Sequence, residues 1–80
     1  MNSNIIEAHS HSSDHRREIE ASTMCGCFYC REIFAPNMIV EWICEGTAFC
    51  PMCGIDSVIG DASGYEISKE FLSNMNDHWF

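Results

Sequence analysis

The sequence predicts a small α+β domain in which a central β-hairpin lies between an N-terminal and a C-terminal helix. Three features predict this fold: helix-compatible segments near both ends of the chain, a run of β-branched and aromatic residues in the middle, and two C-x-x-C pairs that flank this run. Eighty residues are enough for one domain. We place it at residues 12–80, after a polar segment at residues 1–11 that we expect to be flexible.

The N-terminal helix is predicted to begin at Ser12 or Ser13, because either hydroxyl can accept a hydrogen bond from the first helical turn. The sequence then continues without a helix breaker to about Ser22. The apolar side of this helix is narrow and consists of Ile19 and Ala21. Few contacts would therefore hold the helix against the rest of the domain.

The middle of the chain is typical of a β-hairpin. Residues 38–44 are rich in β-branched and aromatic side chains and predict the first strand, and residues 47–49 predict the second. Glu45-Gly46 is a plausible two-residue turn between them. Such a turn would place Trp42 opposite Phe49, and this pair would supply much of the core.

The C-terminal part predicts one further helix. Residues 55–59 fit either a third strand or a short helical turn, since five residues are too few for periodicity to decide. Ser68 is a good N-cap for the last helix. Its apolar residues recur at helical spacing and form one stripe: Phe71, Leu72, Met75 and Trp79. We expect this stripe, and with it the C-terminus, to be packed on the domain.

The two C-x-x-C pairs predict a metal site. Nineteen residues separate the second cysteine of one pair from the first cysteine of the other. Each pair can close a tight turn that points two thiolates at one cation, and two such turns supply the tetrahedral sulfur set that Zn²⁺ prefers. We therefore predict one structural zinc ion, which a chain this short needs for stability. The predicted ligands are Cys27, Cys30, Cys50 and Cys53.

Six cysteines could instead form three disulfide bonds in a secreted protein. The N-terminus lacks the basic and apolar regions of a signal peptide, and no apolar run approaches the ~18 residues of a membrane span. We therefore expect a cytoplasmic protein without a membrane segment, in which the thiols are reduced and available to a metal.

Two cysteines remain outside the predicted ligand set. Cys44 would lie on the Trp42 face of the first hairpin strand, where a buried apolar role is the simplest interpretation. Cys25 lies two residues before Cys27 and could exchange with a ligand, serve a second cation or act as a redox sensor.

Three histidines lie within seven residues near the N-terminus: His9, His11 and His15. They could bind a metal opportunistically, or form an interaction patch beside Arg16-Arg17. A partly solvated segment without a specific role is the plainer interpretation. The sequence leaves these alternatives open.

The charge restricts the class of partner. Twelve acidic and four basic residues give a net charge of −8, and a zinc ion on four thiolates would bring it to about −10. Nucleic-acid binding through phosphates needs clustered lysines and arginines, so we consider it unlikely here. We expect a protein partner, basic or neutral, and a monomeric chain.

We do not expect an enzyme. A catalytic zinc keeps one coordination position open for water or substrate, whereas four thiolates close the site. The sequence also has no phosphate-binding glycine-rich loop and no G-x-S-x-G nucleophile motif.

The chain resembles the zinc-ribbon and treble-clef domains in its two metal-binding turns, Cys27-Phe28-Tyr29-Cys30 and Cys50-Pro51-Met52-Cys53-Gly54. Over nearly its whole length it also resembles a group of short bacterial cytoplasmic proteins of unassigned function. The strings that carry this likeness are His11-Ser12-Ser13-x-His15-Arg16-x-Glu18-Ile19, Cys25-Gly26-Cys27-Phe28-Tyr29-Cys30, Cys53-Gly54-Ile55-Asp56-Ser57-Val58-Ile59-Gly60-Asp61 and His78-Trp79-Phe80. The resemblance implies a compact zinc-binding domain and no particular substrate, reaction or partner.

Together these features lead us to expect a protein-interaction or regulatory module with a structural zinc ion in the bacterial cytoplasm. A thiol-based redox sensor that releases zinc is the alternative, with Cys25 or Cys44 forming a disulfide with a ligand. A zinc ribbon that binds nucleic acid is a third possibility, which the acidic charge disfavours.

Overall fold

A computed structural model of the chain describes residues 5–80 and shows a small α+β protein, as the sequence predicts. The helices are α1 (Ile5–Ala8), α2 (Arg16–Ala21) and α3 (Lys69–Trp79). The strands are β1 (Cys25–Cys27), β2 (Ile33–Phe34), β3 (Trp42–Ile43), β4 (Thr47–Ala48) and β5 (Val58–Gly60). Three 3-10 turns complete the elements: His9–Ser12, Pro36–Met38 and Asp61–Ser63. Within residues 5–80, no helix has the length and apolar character needed to cross a membrane.

A three-stranded antiparallel sheet forms the centre, in the order β2-β1-β5. Cys25 of the middle strand lies opposite both Phe34 of β2 and Gly60 of β5, and Cys27 lies opposite Val58. Residues 55–59 therefore end in a third strand, one of the two forms that the sequence left open.

Side chains alternate across this sheet and divide the core into two clusters. On one face lie the residues that surround the cysteines: Ile19, Cys25, Cys27, Phe34, Ile39, Ala48, Cys50 and Val58. On the other face lie the residues that pack under the helices at the two ends of the chain: Ala8, Phe28, Ile59, Leu72 and Met75. The sheet is thus buried on both sides, which explains why all three residues of β1 and of β5 are buried.

Helix α3 covers the second face, as its apolar stripe predicts. Ser68 caps it by accepting a hydrogen bond from the Phe71 N–H (3.1 Å), which confirms the predicted N-cap. Glycine in β1 lets the helix approach closely, because a Cβ on Gly26 would lie 2.7 Å from Leu72 Cδ1. The indole Nε1–H of Trp79 donates to the Ile5 carbonyl (3.2 Å), so the C-terminal helix also holds α1.

The first helical region differs from the prediction. A 3-10 turn at His9–Ser12 comes first, and α2 begins at Arg16 rather than at Ser12 or Ser13. Asp14 has a φ of 49°, a left-handed conformation that interrupts the helix between the two segments. Of the predicted flexible segment, residues 5–11 adopt helical turns with Ala8 buried, and residues 1–4 lie outside the described residues. Flexibility itself stays a prediction.

The β3–β4 hairpin has a three-residue turn, so the predicted pairing of Trp42 with Phe49 is wrong. Trp42 lies opposite Ala48, and Ile43 lies opposite Thr47. The turn takes up Cys44, Glu45 and Gly46, with φ of 51° at Cys44 and 63° at Glu45. One extra turn residue shifts the register by one and reverses the face of each partner. The first strand is also shorter than predicted: it covers only Trp42–Ile43, Met38 belongs to a 3-10 turn and Cys44 lies in the hairpin turn.

His15 joins α2 to this hairpin. It is 4% exposed, its backbone N–H donates to the Gly46 carbonyl (2.7 Å), and its ring lies between two backbone groups. The His11 carbonyl oxygen can only accept, so ring Nδ1 donates to it (2.6 Å). The Ala48 N–H can only donate, so Nε2 accepts from it (3.1 Å). Both bonds together require the neutral imidazole protonated at Nδ1.

Folding should therefore depend on pH through His15. Burial lowers the pKa of His15 from its usual 6.5. The hydrogen bond to the His11 carbonyl and the charges of Glu18 and Asp14 oppose this lowering, and the charge of the His11 ring adds to it. The unfolded chain then binds a proton at His15 before the folded chain does, so stability falls as pH falls from about 6.5 towards the folded pKa. Each tenfold difference in proton affinity between the two states is worth about 1.4 kcal/mol.

The measurement is urea unfolding of the wild type and His15→Gln at pH 7.5, 6.5 and 5.5. The glutamine amide can make both hydrogen bonds without titrating, so the wild type should lose more stability than the variant over this range. Weaker metal binding in acid affects both proteins and cancels in the difference. Equal losses in the two proteins would contradict the role given to His15.

Candidate metal centre

The structure brings the four predicted cysteines together. Their Sγ atoms all lie within 4.8 Å of one another. Two of the separations are 3.7 Å, between Cys27 and Cys53 and between Cys30 and Cys50. A tetrahedral ion with metal–thiolate bonds of about 2.3 Å separates its sulfurs by about 3.8 Å. The four cysteines can therefore hold one metal ion.

Each C-x-x-C pair lies in a tight turn, and we call the two turns the first knuckle (residues 27–32) and the second knuckle (residues 50–55). In the first knuckle the Arg31 N–H donates to the Cys27 carbonyl (2.7 Å), and the Cys27 N–H donates to the Glu32 carbonyl (3.0 Å). The Tyr29 N–H donates to Cys27 Sγ (3.4 Å). These bonds close the turn and orient the Cys27 thiol.

The second knuckle repeats this pattern at equivalent positions. The Gly54 N–H donates to the Cys50 carbonyl (2.9 Å), and the Cys50 N–H donates to the Ile55 carbonyl (2.8 Å). The Met52 N–H donates to Cys50 Sγ (3.3 Å), as does the Cys53 N–H (3.4 Å). The centre is thus built from two copies of one local structure that face each other across the sulfurs.

The residue after each second cysteine has a positive φ, 65° at Arg31 and 82° at Gly54. Glycine adopts this conformation without strain, but for other residues it costs roughly 1–2 kcal/mol. Only the second knuckle has glycine at this position in the sequence. The first knuckle tolerates arginine there with help from α3, because Lys69 Nζ donates to the Arg31 carbonyl (2.9 Å).

Helix α3 supports the first knuckle at one further point that the sequence did not indicate. The Asn76 side-chain amide donates to the carbonyls of Phe28 (3.0 Å) and Tyr29 (3.1 Å). Asn76 follows the buried Met75 on α3, and no motif distinguishes it from the other polar residues of that helix. The contact between Asn76 and the first knuckle becomes apparent only in the folded structure, where α3 lies against the knuckle.

The thiols differ in burial and in acidity. Cys27 and Cys50 are buried, Cys30 is half-buried and Cys53 is exposed. Burial raises the pKa of Cys27 and of Cys30 despite hydrogen bonds from backbone N–H groups. At Cys50 burial acts in the same direction, but the N–H groups of Cys53 and Met52 outweigh it and lower the pKa. Most of the charge that a cation requires must therefore form as the cation binds, with release of protons.

The other candidate ligands lie elsewhere. Among residues 5–80, the four clustered cysteines are the only group with metal-binding geometry. Cys25 is fully buried on β1, and burial raises its pKa to about 12. Cys44 is exposed in the hairpin turn, so its predicted burial is wrong. The three histidines do not converge: His9 stacks on Trp79 (ring centroids 4.0 Å apart), His11 contacts Glu18 (2.9 Å), and His15 is held as described above.

The surface beside the knuckles is apolar. Tyr29 and Met52 occupy the same position in their respective knuckles and are 47% and 54% exposed. The Tyr29 ring meets the ring of Phe80, with 5.0 Å between centroids. Three cavities of about 700, 300 and 280 Å³ lie on other parts of the molecule, and none of these three is lined by one of the four clustered cysteines.

Comparisons with protein-family models, with curated proteins and with solved structures give no match for this chain.

The two positive φ angles predict opposite effects for two substitutions. Gly54→Ala should destabilise the folded protein by about 1 kcal/mol, because a Cβ there meets no atom within 4 Å and only the backbone strain remains. Arg31→Gly should stabilise it by up to about 1 kcal/mol, because it relieves the same strain at some cost in chain entropy.

Arg31→Ala is the matched control, since it removes the arginine charge and keeps the strained backbone. Thermal unfolding of the metal-loaded proteins measures all three variants. Equal stabilities of Arg31→Gly and Arg31→Ala would show that the first knuckle is not strained at this position.

Proposed function

We propose that this chain is a structural zinc protein and that it acts as a small protein-interaction module in the bacterial cytoplasm. The observation that carries the proposal is the set of four thiols within 4.8 Å, held by two matching knuckles. Four thiolates in a tetrahedral arrangement suit zinc and leave it no open position. Such a site stabilises a fold and does not activate water, which supports a role other than catalysis.

The size of the chain supports a structural role for the ion. Strands β2, β3 and β4 have two residues each, and the residues of the first core cluster surround the cysteines. Structural zinc contributes on the order of 10 kcal/mol at neutral pH, as much as the whole stability of a typical domain. Metal binding and folding should therefore be one process.

Both pairs of thiols lie on knuckles between strands. The first knuckle joins β1 to β2, and the second lies between β4 and β5. The helix that follows begins only at Lys69, far along the chain from Cys53, and supplies no thiol. This arrangement favours a zinc ribbon over a treble clef.

Charge and surface support a protein partner over nucleic acid. The net charge is −8, and two of the four basic residues are engaged in contacts within the chain. Arg16 donates to Glu20 (2.9 Å) and lies over the Trp42 ring (4.5 Å), whereas Lys69 is bound to the first knuckle. Duplex binding needs several free cations in one array. The exposed apolar residues beside the metal centre, Tyr29 and Met52, suit contact with a protein.

The redox alternative has less support. Cys25 is buried and its pKa is raised, so it is a poor nucleophile for peroxide or for a disulfide. Cys44 is exposed but lies in the turn at the far end of the hairpin from Cys50. A disulfide between Cys44 and a ligand would require the hairpin to unfold.

Replacement of single cysteines tests the metal site. Zinc affinity should fall by at least about a hundredfold when serine replaces Cys27, Cys30, Cys50 or Cys53, because loss of even a residue that only supports a ligand lowers metal affinity by about 10–100-fold. Most of the chain should then unfold, since metal binding and folding are coupled. Cys44→Ser is the matched control and should bind one zinc with unchanged affinity. Metal analysis of untagged protein and the visible spectrum of its cobalt(II) form are the measurements. Tight binding of one metal by any ligand variant, or cobalt bands of a site with oxygen or nitrogen ligands, would contradict the proposal.

A separate experiment tests the class of partner. At about 50 mM salt the zinc-loaded protein should bind an octalysine peptide and should not bind a 20-base-pair DNA duplex. The acidic protein attracts the positively charged peptide and repels the negatively charged duplex. Binding of octalysine should weaken at 0.5 M salt. Fluorescence anisotropy with labelled peptide and labelled duplex measures both. Binding to the duplex alone would replace the protein-interaction proposal with the nucleic-acid one.

A further inference from the structure

A groove on the face opposite the metal centre has the shape and chemistry of a small binding site. It encloses about 300 Å³ between the start of α1, the loop before α3 and the first turns of α3. Its lining combines apolar rings with acidic and neutral polar groups: Ile5, Tyr65, Glu66, Ser68, Glu70, Phe71 and Asn74. Among residues 5–80, no basic residue lines it.

Two aromatic rings form one wall of this groove. The rings of Tyr65 and Phe71 stack with an interplanar angle of 11° and 5.8 Å between centroids. His11 meets the Tyr65 ring edge-on, with 5.9 Å between ring centroids. Both aromatic residues are half-buried, so they are held in place and still reach the surface. The faces of such rings attract cations.

The carboxylates beside these rings have no cationic partner in the described part of the chain. The ion pairs among residues 5–80 are His11 with Glu18 and Arg16 with Glu20, so Glu66 and Glu70 are unpaired there. Lys69 lies next to Glu70 in sequence, but its Nζ donates to the Arg31 carbonyl. A third carboxylate is near: the pKa of Tyr65 is raised, first by partial removal of its phenol from water and then by the charge of Glu7.

We propose that this groove binds a lysine or arginine side chain of a basic partner protein. The aliphatic stem of such a side chain fits against Ile5 and the two rings, and its charged end meets Glu66 and Glu70. A neutral apolar side chain would remove these carboxylates from water without compensation, and an anion would be repelled. The proposal rests on the proposed function and deepens it, since it names the surface and the chemistry of the partner.

The test is an NMR titration of the zinc-loaded protein at low salt with acetyl-Gly-Lys-Gly-amide and, as the neutral probe, acetyl-Gly-Gln-Gly-amide. The lysine peptide should shift the signals of Tyr65, Phe71 and Asn74 in a saturable way, with an affinity at least about tenfold above that of the glutamine peptide. Shifts confined to other surfaces would overturn the proposal.

Variants separate the groove from general attraction to an acidic protein. Glu66→Gln/Glu70→Gln should weaken binding of the lysine peptide roughly tenfold, and Phe71→Leu, which keeps the apolar contact with the core, several-fold. Glu41→Gln/Asp77→Asn is the matched control, since it changes the net charge equally at exposed sites outside the groove. Equal weakening by the two double variants would overturn the proposal.

Three further outcomes have defined meanings. Binding that appears only in a chain shortened by residues 1–4 would show that the chain's own N-terminal segment occupies the groove, and would overturn the proposal. If octalysine binds the protein but the lysine tripeptide does not bind the groove, the proposal for the groove is contradicted and the proposed function is not. If neither binds, a basic partner is excluded as well.

Discussion

Four thiols that converge on one point tie together parts of the chain that have few other contacts. Cys27 ends the central strand of the sheet, and Cys50 follows the hairpin by two residues. A cation between them links sheet and hairpin directly. Without a cation only weak contacts between thiols 3.7 Å apart join the two knuckles, because burial raises the pKa of Cys27 and of Cys30 and so favours their uncharged forms. On the proposed function, metal–sulfur bonds at this point would supply the stability that a chain of this size lacks.

The remaining contacts surround this centre on both sides of the sheet. On the metal side, His15 fixes α2 to the hairpin through one tautomer of its ring. On the opposite side, α3 reaches the first knuckle with Asn76 and Lys69. The surface of α3 that faces away from the knuckle carries the aromatic and acidic groove. One helix thus supports the metal centre and presents the proposed binding surface, so a partner in the groove would contact the element that stabilises the knuckle.

The sequence predicts the features that depend on local chemistry. The C-x-x-C spacing predicts which four sulfurs meet, and the serine cap and apolar stripe predict α3 from Lys69 onwards. The errors concern features that depend on tertiary contacts. The hairpin register follows from left-handed residues at Cys44 and Glu45, neither of which is a residue type that demands that conformation. The role of His15 depends in part on the Ala48 N–H, which lies 33 residues away in the chain, and no spacing rule reveals such a contact.

The account is tested most directly by titration of zinc into the reduced, metal-free protein, followed by its amide NMR spectrum. If the metal holds the fold together, the metal-free chain gives the narrow spectrum of an unfolded protein, and the dispersed spectrum grows in proportion to zinc up to one ion per chain. A metal-free protein with a dispersed spectrum that zinc leaves unchanged would contradict the account, because the sheet and hairpin would then be stable without the link between their sulfurs.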